Sequence, residues 1–90
     1  MTKHLNIKVT GVVQGVLFRA HAAQKAQDLK LNGFVRNMPD DSVYIEAEGE
    51  EKSLDEFIGW CYTGSPAAQV RDVKVAEAAL WNFREFTIER

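Results

Sequence analysis

Between residues 11 and 19 the chain reads Gly-Val-Val-Gln-Gly-Val-Leu-Phe-Arg, two glycines and an arginine where a strand pattern gives way to a helical one. That junction suits an anion. Backbone N–H groups in such a loop and in the first helical turn lack intrahelical acceptors, and the helix dipole adds roughly half a positive charge there. Gly15 lets the backbone approach a ligand closely or take positive φ, and Arg19 can offer a planar fork to two phosphate oxygens. A cation at this end of the dipole is electrostatically misplaced unless an anion joins it. The segment has neither the Gly-Lys-Ser/Thr ending of a P-loop nor the glycine spacing of a dinucleotide-binding turn, so nucleotide binding is not indicated.

Periodicity supplies the elements that must hold this loop. Leu5, Ile7 and Val9 alternate with Asn6, Lys8 and Thr10, predicting a strand over 4–10. Phe18, Ala22, Ala26 and Leu29 share one helical stripe, predicting a helix over about 19–30. Gly33 to Asn37 and then Val43, Ile45 and Ala47 read as two strands joined by the Pro39-Asp40-Asp41 turn, the second over about 42–48. Glu50 and Glu51 favour a second helix start, and Leu54, Phe57, Ile58 and Cys61 give it a buried stripe running to about Tyr62. Gly64 and Pro66 end it, and strand patterns return at 70–75 and 83–88. The order is βαββαβ with an extra C-terminal strand. That predicts an α+β, ferredoxin-like sandwich, mostly antiparallel, with both helices on one face and a single domain over 1–90.

Composition narrows the function. Eleven Lys and Arg against thirteen Asp and Glu give a net charge of −2, too little basic excess for general nucleic-acid binding. No apolar run is long enough to span a membrane, and the first residues lack the apolar core of a signal peptide. A reducing, cytoplasmic setting is expected. One cysteine and two histidines form no Cys/His zinc cage, so neither a metal nor another cofactor is expected.

Val13-Gln14-Gly15-Val16-x-Phe18-Arg19 resembles the signature of the acylphosphatases, small enzymes that hydrolyse carboxyl-phosphate mixed anhydrides. The likeness continues through Leu29-x-Leu31-x-Gly33-x-Val35-x-Asn37, Gly64-Ser65-Pro66 and Phe86-Thr87-Ile88, and so covers essentially the whole chain. The resemblance implies that Arg19 and the backbone of Gln14, Gly15, Val16, Leu17, Phe18 and Arg19 bind the phosphoryl group. It also implies that Asn37 positions the attacking water. The substrate would be a small acyl phosphate, with inorganic phosphate or sulfate competing, and the enzyme a monomer. Acetyl, benzoyl and carbamoyl phosphate and 1,3-bisphosphoglycerate all present the same anhydride, so the acyl part stays open. The chain departs from the family pattern at Asp41 and Lys30, where glycine is usual. If the first helix ends near Leu29, Lys30 falls at the left-handed position after the cap.

The remaining chemistry-bearing residues read as structure. His21 lies about 200° around the helix from Arg19 and should face solvent. Cys61 reads as a core thiol, Trp60, Tyr62 and Trp81 as packing or edge cover, and Glu46 and Glu48 as a solvated strand face. Two rival functions remain. A non-catalytic, RNA-binding ferredoxin-like module would need basic and aromatic groups on its central strands, where this chain sets Tyr44 beside two carboxylates. A detached carbamoyl-phosphate-handling domain, like the N-terminal module of a hydrogenase-maturation carbamoyltransferase, would carry the same loop.

Overall fold

The computed structural model describes residues 1–90. Seven elements follow in the order β1 (Thr2–Val12), α1 (Phe18–Asp28), β2 (Asn32–Asn37), β3 (Val43–Glu50), α2 (Glu51–Thr63), β4 (Gln69–Ala78) and β5 (Phe86–Ile88). The strands form one sheet in the order β4-β1-β3-β2-β5, antiparallel throughout except for the β2–β5 pair. Alternation then decides the core. Leu5, Ile7, Val9, Val35, Val43, Ile45, Ala47 and Val73 line one face and are buried under Phe18, Ala22 and Ala26 of α1 and Leu54, Phe57 and Cys61 of α2. The ferredoxin-like α+β expectation therefore holds, with both helices on that face.

Several boundaries differ from the sequence reading, each for a local reason. Helix α1 begins at Phe18 and stops at Asp28. Its end is a Schellman motif: the Leu31 amide donates to the Ala26 carbonyl (2.8 Å) and the Lys30 amide to Gln27 (3.0 Å), with Lys30 at φ 61°. Asp41 is left-handed as well (φ 72°), so both glycine-to-side-chain departures sit in backbone that disfavours a Cβ.

The open face of the sheet overturns the reading of Glu46 and Glu48 as solvated. Residues 79–83, between β4 and β5, cross over this face, and Glu48 is only 6% exposed beneath them. Its carboxylate accepts the backbone amides of Trp81 (2.6 Å), Asn82 (3.1 Å) and Phe83 (2.9 Å). Glu46 accepts Tyr44 Oη–H (2.8 Å) and lies 2.9 Å from Nε2 of His4, whose Nδ1 meets the Ala79 carbonyl at 2.7 Å. Phe83 sits edge-on to both His4 and Phe34. Residues 83–85, expected as strand, are therefore spent on this crossover, and regular pairing with β2 begins only at Phe86. Alternation told which way the two glutamates point, and not what lies above them.

Two stability measurements follow. A Lys Cβ in left-handed backbone costs roughly 1 kcal/mol, partly offset by its charge at the helix C-terminus and by the greater unfolded-chain entropy of glycine. Lys30→Gly should raise stability by about 0.5–1 kcal/mol, read as a higher urea midpoint at unchanged m-value. For Glu48, burial opposes the charge, but the three amides and nearby His4 outweigh it and hold the carboxyl below its ordinary value. A lowered folded value means the contribution is present above the unfolded value near 4.5 and fades as pH falls through the folded one. Glu48→Gln, which offers one acceptor oxygen in place of two, should cost about 1–3 kcal/mol at pH 7. That gap should narrow as pH falls below the unfolded value of 4.5, where the unfolded chain takes up the proton before the folded one does.

Candidate active site

A β-bulge at Thr10/Gly11 shifts the register of β1 on β4, and after the last pair, Val12 with Gln69, the chain enters the loop that precedes α1. Within it Gly15 (φ 73°) and Leu17 (φ 62°, the N-cap) are left-handed with Val16 between them, a backbone alternation that gathers successive amides around an anion. From Gln14 to Ala20 no backbone amide donates a hydrogen bond within the chain, and the helix start has neither a side-chain cap nor an acidic residue in its first turn. An uncapped, uncompensated N-terminus is thus left facing a cleft of about 320 Å³.

Arg19, Asn37 and Gly15 all line this cleft, together with Leu17, Ile88 and Arg90. Arg19 enters it from the second position of α1 and is half-buried; its Nη1 donates to the carbonyl of Glu89 (2.9 Å). That carbonyl is fixed in turn, because the Glu89 amide donates to Val35 of β2 (2.9 Å). One guanidinium edge is so anchored to backbone, and the remaining donors make no hydrogen bond within the chain. Asn37 closes β2 on the same side as Val35, the helix-covered side, as its place in the alternation predicts. Its carboxamide oxygen is buried and accepts no hydrogen bond in the chain. A buried acceptor left unpaired costs about 1–3 kcal/mol unless a group from outside the chain supplies the donor.

The six loop residues proposed from sequence are brought together, but not all through the same atoms. The Gln14 side chain turns away from the cleft and donates to the carbonyls of Met38 and Ser42, both at 2.9 Å. Phe18 is buried and packs on Trp60. Val16 packs against the core, while Leu17 is 71% exposed. Three supports escaped the sequence reading. Ser65, 2% exposed, donates its hydroxyl to the Val16 carbonyl (2.7 Å). Gly64 lies so close to Phe18 that an added Cβ would stand 2.9 Å from the ring. The third is the Glu89 carbonyl, a backbone atom that side-chain spacing does not reveal. For Ser65 and Gly64 the signal was in the Gly64-Ser65-Pro66 match, which carried no role.

The side chains read as structural keep that place. His21 is exposed, and Cys61 is fully buried, its thiol pushed up to about 12 by burial. No His, Cys, Asp or Glu lines the cleft, and no three such side chains are grouped to hold a metal ion. Trp60 is packing, whereas Tyr62 and Trp81 stay largely exposed, Trp81 leaning on Phe83.

An α+β sandwich whose strand-to-helix loop offers unpaired amides and a guanidinium, with no acid–base pair, defines a small oxyanion-binding domain suited to phosphoryl chemistry. Comparison with known proteins makes this specific. The acylphosphatase family profile matches residues 5–88. An acylphosphatase of Methylococcus capsulatus is 45% identical, covering 98% of this chain and 97% of its own, and one of Archaeoglobus fulgidus is 44% identical over 93% and 94%. The crystal structure of acylphosphatase from Bacillus subtilis superimposes with a TM-score of 0.95 at 38% identity, over the full length of both chains. The chain belongs to the acylphosphatase family, hydrolases whose substrates are small acyl phosphates. It is also similar to 12% of full-length HypF in its phosphate- and nucleotide-bound form, with a TM-score of 0.89 and 30% identity.

Arg19 tests the site most directly. Arg19→Gln keeps the loop amides and loses the charged fork, so inhibition by inorganic phosphate and by sulfate should weaken together. Turnover of benzoyl phosphate should fall at least about 10²-fold, the scale of one preorganised transition-state donor. Normal turnover with undiminished anion inhibition would remove Arg19 from the site.

Proposed function

We propose that this chain hydrolyses acyl phosphates by clamping the phosphoryl group between Arg19 and the loop amides while Asn37 holds the attacking water. The observation that carries the reading is the pairing, in one cleft, of an uncapped run of amides with a buried and unpaired Asn37 oxygen. The amides of Gly15 to Ala20 and the free edge of Arg19 surround the equatorial oxygens, where charge is carried in the transition state. A water donating to Asn37 Oδ1 is then set in line with the leaving group. Its oxygen bonds to phosphorus, the bond from phosphorus to the acyl oxygen breaks, and that electron pair leaves with the carboxylate.

The cleft needs no acid or base for this. A departing carboxylate has a pKa of about 4 and leaves without a proton, and the water's proton passes to the phosphate formed or to solvent. The apolar parts of the wall, Leu17 and Ile88 among them, offer the acyl group no polar contact, so the enzyme reads chiefly the phosphoryl end. Inorganic phosphate and sulfate compete for that end. The enzyme acts as a monomer in the cytoplasm, a setting suited to its single buried, unpaired thiol.

Two comparisons test the reading. Benzoyl phosphate should be hydrolysed far faster than p-nitrophenyl phosphate, whose leaving group is poorer; equal or better turnover of the ester would sink the assignment. Asn37→Ala should lower kcat while phosphate remains a competitive inhibitor of nearly unchanged strength, since water orientation belongs to the chemical step. A parallel collapse of phosphate affinity would make Asn37 a binding residue instead.

A further inference from the structure

Gln14 is the one polar side chain between the end of β1 and the start of α1, and it is turned away from the cleft. Both hydrogens of its amino group are used, one on the Met38 carbonyl and one on the Ser42 carbonyl, each at 2.9 Å. These two oxygens already close the β2–β3 turn: Met38 N–H donates to Ser42 (2.8 Å) and Asp41 N–H to Met38 (3.1 Å). Gln14 therefore staples the turn at both of its closing points. Met38 is the residue after Asn37, so the peptide unit that follows Asn37 is held through its own amide and through the next carbonyl. Gly15, the residue after Gln14, lines the cleft opposite. One carboxamide spans the seam between the element that binds the phosphoryl group and the element that holds the water.

We infer that Gln14 is a positioning residue that sets the Asn37 side chain relative to the loop amides, and thereby the distance and angle of attack, without touching substrate. This rests on the reading of Asn37 as the water-holding group. A backbone seam is where such a device is needed, because β2 and the loop belong to different parts of the sheet: β3 lies between β2 and β1, and no strand pairing joins Asn37 to residues 13–17. Left unstapled, the turn keeps its own two hydrogen bonds and the loop keeps Ser65, so both halves stay formed while their separation loosens. A displacement on the order of 1 Å in a reacting group costs up to about 10²-fold in rate.

The test is a double-mutant cycle on benzoyl phosphate hydrolysis, using Gln14→Met, which keeps length and loses both donors. Alone, Gln14→Met should lower kcat by about 10- to 100-fold with KM and inhibition by inorganic phosphate changed less than about twofold. In an Asn37→Ala background the same substitution should change kcat by less than about twofold, because there is no longer a water-holding group to misplace. Additive losses in the double variant would overturn the inference, and so would parallel loss of phosphate inhibition, which would assign Gln14 to the loop itself. Should Gln14→Met fold poorly, Gln14→Glu carries the question: its carboxylate repels both carbonyls, but its protonated form donates one hydrogen bond. Its kcat, relative to that of the parent, should then rise as pH falls from 7 to about 5, and a flat ratio would count against the staple. If instead Asn37→Ala alone leaves kcat unchanged, the reading of Asn37 fails, and that outcome is separate from additivity in the cycle.

Discussion

Seven consecutive backbone amides, Gln14 to Ala20, have no acceptor in the chain, and much of the architecture exists to keep them in one shape. Secondary structure holds itself by its own hydrogen bonds, but a loop whose amides find no acceptor in the chain cannot. It must be held from outside, through its carbonyls and side chains. Ser65 takes the Val16 carbonyl, Phe18 is seated against Gly64 and Trp60, and Gln14 ties the loop to the β2–β3 turn. The left-handed residues Gly15 and Leu17 set the curl, and for Leu17 that curl opposes its own Cβ preference. Strain of about 1 kcal/mol at one loop residue is tolerable because the surrounding contacts overdetermine the loop.

The same logic extends to Arg19, through a longer route. Its anchor is the Glu89 carbonyl, which hangs on β2 just past β5, the shortest strand and the sole parallel partner in the sheet. Three residues of pairing are weak support for a site element. The crossover before β5 supplies more: Glu48 binds three of its amides, Asn32 donates to the Phe83 carbonyl, and Phe83 packs on His4 and Phe34. A carboxylate on the open face thus helps to place a guanidinium on the far side of the sheet, with the chain from Phe83 to Glu89 as the link. The cover takes the end of the open face around His4 and Glu48 out of solvent, while Lys8 and Arg36 farther along it stay partly exposed.

Much of this was legible in the sequence, and the parts that were not share a cause. Period-2 alternation in β1, β2 and β3 gave the strands, their buried faces and the side of the sheet to which Asn37 belongs. The positive φ of Gly15 was legible because glycine at a strand-to-helix junction suits it, and Lys30 betrayed its left-handed backbone through the cap position it occupies. Glu48 was misjudged because alternation specifies a direction and says nothing of an aperiodic segment folding back over it. Residues 83–85 looked like strand for the same reason: Phe83 is apolar because it covers the open face, not because it alternates. The Gln14 staple, the Ser65 prop and the Glu89 anchor all involve backbone carbonyls, which every residue type supplies alike, so no spacing of side chains could announce them.

The loop signature can accordingly be read as a set of shape requirements rather than a set of ligands. Val13 is buried in the core, Gln14 staples, Gly15 takes the positive φ, Val16 packs inward and lends its carbonyl to Ser65, and Phe18 fills the space that Gly64 leaves open. Only Arg19 offers its side chain to the cleft as a charge. The single position the signature leaves free, Leu17, is also the one whose side chain stands 71% exposed. A cleft lined mostly by backbone is shaped by side chains that point away from it, and in this chain their identities follow from what each must hold in place.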